Sequence, residues 1–217
     1  MSATFGNWVA ATFDHAPGKP EWYWGEDFDA YWASLALSDD LTVAYLARLF
    51  REPRLLQRYS LDQVAEGIWF LIGESSPAQP SYALLRPAAP LDARADCVRA
   101  MTHFFEAFVA PAAPGPADTD SNAFHIACYM WWDIFPTWGG PQAGEPAIHD
   151  ACLEVMTEVL RVQSELCRLS ALHGLNHWHL HHPGTVEKVV DAFLESARHV
   201  TPRVRDYAAL AREGSAQ

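Results

Sequence analysis

His173 and His177 stand four residues apart in the segment SALHGLNHW, an interval that puts both imidazoles on one side of a helix, one turn from each other. Metal-binding helices use this spacing, because two neutral rings one turn apart can direct their lone pairs at a single ion. On an unbroken helix turning about 100° per residue, the pair shares an arc with Val162, Leu166 and Leu169, so two histidines lie on an apolar face. A buried ring nitrogen without a partner costs about 1–3 kcal/mol, so something must satisfy these.

Asp133 is the candidate partner. It is the only carboxylate between Ala123 and Phe135, a stretch apolar on every side through Phe124, Ile126, Cys128, Met130, Trp131, Trp132, Ile134 and Phe135. An isolated carboxylate in such surroundings either takes up a proton or finds a partner. Two arrangements answer to this. In one, an Asp133–His pair staples two helices in register and performs no chemistry. In the other, Asp133, His173 and His177 form a ligand, metal or acid–base site. The zincin signature HExxH is absent, since Gly174 follows His173, and no Glu has a His three residues later as di-iron bundles require. The expectation is therefore the staple, without catalytic residues, resident metal or cofactor, and the site is the alternative.

Other candidates are weaker. His179, His181 and His182 follow in HWHLHHPG, at a helix end before Pro183, where exposed histidines cap carbonyls and bind metal only adventitiously. Of nine tryptophans, Trp32, Trp69 and one of the adjacent pair Trp131 and Trp132 are assigned to the core, leaving Trp22, Trp24 and Trp138 on loops as contact residues. Cys97, Cys128, Cys152 and Cys167 include no CxxC pair and read as small buried hydrophobes rather than zinc ligands or disulfides. There is no GxSxG elbow, P-loop or GxGxxG, so acyl transfer, phosphate cradling and dinucleotide binding lack support.

The elements that must position these residues follow from helical periodicity and its punctuation. Aromatic-rich residues 1–25, broken by Pro17, Gly18, Pro20 and Gly25, form a packed N-terminal arm. Phe28, Tyr31, Trp32 and Leu35 mark a first helix; Ser38 caps a second that Pro53 ends; Ser60 and Gln63 make a capping box for a third, Leu61 to Ile72, stopped by Gly73. Proline-rich residues 74–90 connect to a helix from Leu91 to Val109 that Pro111 terminates. A central helix then spans Asn122 to Phe135. Pro146 opens the next, which continues or breaks near Gln163 and Ser164 before SALHGLNHW. Further helices start at Gly184-Thr185 and Thr201-Pro202, and residues 213–217 fray.

Paired, these helices give hairpins starting near residues 38, 91, 147 and 185, at uneven intervals. The segment ALHGLNHW with Pro183 and TVEKVVDAFL resembles one degenerate HEAT unit, and CYMWWDIFP with SALHGLNHW resembles segments of bacterial all-helical proteins, a likeness that implies no activity. The expected fold is one all-α domain over 1–217, an irregular array of antiparallel helix pairs in the manner of a HEAT-like α-solenoid or helical bundle.

A formal charge of −12 with only 15 scattered basic residues opposes binding to nucleic acid or to an anionic membrane. The unpaired thiols, the lack of an export signal and the lack of any run of ~20 apolar residues point to the cytoplasm. Together these features suggest a non-catalytic interaction or scaffold protein, an immunity or regulatory partner of another protein. The alternative is a small-molecule- or metal-binding protein or enzyme with its site at Asp133, His173 and His177.

Overall fold

The computed structural model describes residues 2–76, 78–196 and 200–216, and every regular element among them is helical. Side-chain caps and prolines set most of the starts. Thr4 caps α1 (Phe5–Phe13). After a 3-10 turn at Trp22–Trp24 come α2 (Phe28–Ser34) and α3 (Asp39–Arg51), the latter capped by Ser38. The reciprocal Ser60–Gln63 box opens α4 (Leu61–Ile72), and Gly73 closes it. A 3-10 turn at Pro80–Leu84 leads to α5 (Leu91–Phe104), which passes through a π-helical turn at Phe105–Val109 into the short α6 (Ala110–Ala112). Asn122 caps α7 (Ala123–Tyr129), Pro146 begins α8 (Pro146–Val159), and Ser164 caps α9 (Glu165–Trp178). Two helices beginning in proline, α10 (Pro183–Ser196) and α11 (Pro202–Arg212), complete the chain.

These helices pack in two rows. In the first, α3 lies on α5 and α5 on α8; in the second, α4 lies on α7, α7 on α9 and α9 on α11. Successive pairs along the chain, α3/α4, α5/α7 and α8/α9, each send one helix to either row, and the final pair α10/α11 closes the array against α9. An all-helical, irregular array is what the apolar periodicity requires, since each amphipathic stripe needs a neighbouring stripe to bury it. One continuous core runs through both rows, from Trp8 and Phe50 to Trp178 and Val204.

Several local expectations are corrected. The central helix is α-helical only to Tyr129, then tightens into a 3-10 turn over Met130–Trp132, with the Asp133 and Ile134 amides both donating to the Met130 carbonyl at 3.0 Å. The turn lets two adjacent large residues be buried in different directions. Trp131 packs against Phe50, Phe104 and Phe105, while Trp132 meets Phe135 and the backbone at Gly174. Both tryptophans are therefore core, where only one was assigned there. Pro111 does not terminate its helix. The π turn just before it has already interrupted the usual ladder, so the missing proline N–H falls where it costs little, and the helix runs to Ala112. The chain breaks between α8 and α9, which removes Val162 from the arc of His173 and His177.

The arm folds onto its own chain. Trp8 and Phe13 are buried, and Gly67 admits the Phe13 ring so closely that a Cβ there would stand 2.2 Å from it. The terminal segment expected to fray is tied back as far as residue 216. Its backbone amide and carbonyl exchange hydrogen bonds of 2.9 and 3.1 Å with the side chain of Asn176. No helix among the described residues is long and apolar enough to cross a membrane.

Candidate metal centre

The second row brings together residues that lie far apart in sequence. Asp133 ends the tight turn after α7, His173 and His177 project from α9, and Tyr207 comes from α11. Close approach of these segments depends on Gly174: a Cβ at that position would lie 2.6 Å from the Met156 sulfur and from Cβ and Cγ of Trp132. The missing side chain lets the Asp133 turn and α8 press against α9 between the two histidines.

Asp133, His173 and His177 each offer a ligating atom, and the three atoms lie within 4.8 Å of one another. Donors around one tetrahedral zinc stand roughly 3.3 Å apart, given metal–ligand bonds near 2.0–2.2 Å. His177 Nε2 and Asp133 Oδ1 are already at 3.2 Å. That approach is close enough for electrostatic attraction, yet it lies outside hydrogen-bond geometry, so the nitrogen has no hydrogen-bond partner. His173 Nε2 is likewise buried and without a hydrogen-bond partner among the described residues. The Asp133–His177 approach is the pairing that the staple reading expects, made here without hydrogen-bond geometry.

The rest of the His173 ring is firmly held. Its Nδ1 is 2.7 Å from the Tyr207 hydroxyl, which is 2.8 Å from the Tyr129 hydroxyl. The ring stacks on Tyr129 at 4.2 Å and meets His177 edge-on at 4.7 Å. Burial, aided by the nearby His177, lowers the His173 pKa to about 4, so this imidazole is neutral. Burial also raises both phenols above their ordinary value, so they remain protonated. In the tautomer that has Nδ1–H donating to Tyr207, His173 presents a bare lone pair at Nε2, an arrangement typical of metal-ligating histidines.

The three side chains differ in exposure. His173 is 8% exposed, whereas the side chains of Asp133 and His177 are 24% and 25% exposed. Trp138 stacks on His177 at 4.9 Å and donates from its indole nitrogen to the Asp133 carbonyl at 3.0 Å. Glu74 stands near enough for the Asp133 charge, after its own partial burial, to raise its carboxyl pKa.

Of the loop aromatics assigned to contacts, Trp138 joins this cluster, Trp24 is 53% exposed, and Trp22 is committed to the arm, stacked on His15 at 4.1 Å and packed on Phe70. Tyr129 and Tyr207 were not read as site residues. Their signal was present: Tyr129 lies one turn before Asp133, and Tyr207 interrupts the stripe Val204, Ala208, Ala211 that buries α11. The four cysteines are buried and unpaired, and burial raises their pKa values, that of Cys167 to about 11. They are inert thiols away from the donor set.

Fold and cluster together define a class: an all-helical protein carrying a two-histidine, one-carboxylate donor set. Compared with protein families, curated proteins and solved structures, the chain matches none.

Proposed function

We propose that this protein binds a divalent first-row transition ion, of the Zn2+ or Fe2+ kind, through Asp133, His173 and His177. The observation that carries the reading is that, among the described residues, Nε2 of His173 and of His177 are both buried without a hydrogen bond, in a cluster with Asp133 that places its Oδ1 3.2 Å from the second. Native folds rarely leave such atoms unsatisfied, and one cation would satisfy all three groups at once. Two imidazoles and a carboxylate, with no thiolate, suit zinc or non-haem iron better than calcium or magnesium, which prefer all-oxygen sites.

Metal analysis of untagged protein, followed by Zn2+ titration, tests this. One equivalent should bind, and His177→Ala or Asp133→Asn should abolish it. If those variants bind normally while His179→Ala with His181→Ala does not, the metal belongs to the exposed tract and the proposal fails.

A second reading, an interaction protein using its helical surface, draws on the exposed Trp24 and Tyr31, at 53% and 45%. Exposed aromatics of this size are favoured anchors in interfaces. Co-purification with the product of a neighbouring gene, lost in Trp24→Ala, would support it. Persistence of the complex in that variant would remove the support from this surface.

A further inference from the structure

Resting on the metal reading, we infer that the bound ion keeps a solvent-facing coordination position, and that this position takes a small monoanionic ligand such as a carboxylate beside Trp138. Among the described residues the cluster contributes three donors, one each from Asp133, His173 and His177. Zinc takes four ligands or more, and iron five or six, so the protein leaves at least one place unfilled; structural zinc sites close with four protein donors, while sites that accept substrate keep three.

The neighbouring hydroxyls are already engaged. Tyr207 is bonded to His173 Nδ1 and to Tyr129, which places it behind the ring, away from Nε2. Side-chain exposure belongs to Asp133 and His177, with Nε2 of His177 itself buried, so it is the Asp133 carboxylate that offers a solvent-facing edge. Trp138, 37% exposed, touches both of those residues.

Charge selects the ligand. A divalent ion with one carboxylate and neutral imidazoles retains a single positive charge, which favours one anionic oxygen or nitrogen donor. A formal charge of −12 on the whole chain opposes polyanions such as nucleotides or nucleic acid. A small carboxylate combines the right donor, the right charge and an organic remainder that the Trp138 indole can cover.

Co2+ loading of the untagged protein, followed by azide and then acetate titration of the visible spectrum, decides the matter. The expected result is one equivalent of Co2+ whose ligand-field bands shift saturably with either anion. Trp138→Ala should keep the metal but weaken acetate by about two- to tenfold, the size of an aromatic contact. Stoichiometric Co2+ binding with bands indifferent to both anions would overturn the inference and leave the metal reading standing. Failure to bind Co2+ or Zn2+ at Asp133, His173 and His177 would overturn both.

Discussion

Two sets of histidines, one on α9 and the other on α8 and just past the end of α9, are put to opposite uses. His149 and His182 direct Nε2 at backbone carbonyls, Ala143 at 2.8 Å and Gly139 at 3.0 Å, and so hold down the loop that carries Trp138. His173 and His177 lie in one cluster with Asp133, and among the described residues neither Nε2 has a hydrogen-bond partner. Residue type and burial are similar: His149 is 6% exposed and His173 is 8%. What differs is what faces the nitrogen. A carbonyl completes a histidine, whereas a carboxylate that approaches one ring out of line leaves room for a cation.

The contrast is most sharply broken by removing a histidine from each set. His177→Ala should weaken Zn2+ binding by more than about a hundredfold, since even outer-shell partners of a metal site contribute ten- to a hundredfold. Competition against a chromophoric chelator reads this, and an unchanged affinity would erase the distinction between the sets.

Acid should separate the sets next. The folded His173 pKa lies near 4, below the ordinary 6.5, so the unfolded chain accepts a proton that the folded chain refuses. Apoprotein stability is therefore expected to be complete above pH 6.5 and to fall as pH drops towards 4, by up to about 3 kcal/mol. Urea melts across that range should show the slope, and His173→Gln should flatten it.

Tyr207→Phe removes the oxygen that orients His173 and leaves the ring packing in place. A ten- to hundredfold loss of Zn2+ affinity is expected, roughly 1.4–2.7 kcal/mol, with the ion still bound by the same three residues. Equal affinity in variant and parent would mean that the tyrosine pair is packing alone. The smallest effect belongs to the loop set. His182→Ala should cost about 1 kcal/mol in thermal or denaturant stability, the worth of one hydrogen bond, and should leave metal stoichiometry unaltered.

Much of the scaffold was legible in the chain because its signals are local. Ser38, Ser60 with Gln63, and Thr201 with Pro202 act on backbone groups within one turn, and each opens a helix where the residues place it. The candidate site was legible in half. The four-residue interval put His173 and His177 on one face, and the lone carboxylate singled out Asp133, but Tyr207, distant in sequence, carried only a weak packing signal.

By itself the sequence determined an all-helical array, most of its helix starts, and the three residues most in need of partners. These follow from periodicity, capping and the cost of burying polar groups, all of which act over a few residues. Only the tertiary structure decided that Asp133 lies 3.2 Å from His177 and in one cluster with His173, that it does so without hydrogen-bonding the nearer ring, and that Tyr129 and Tyr207 stand behind His173. Those outcomes depend on the tightened turn at Met130–Trp132 and on how closely Gly174 admits it. Such distances are set by packing between neighbouring helices, and no single helix contains them.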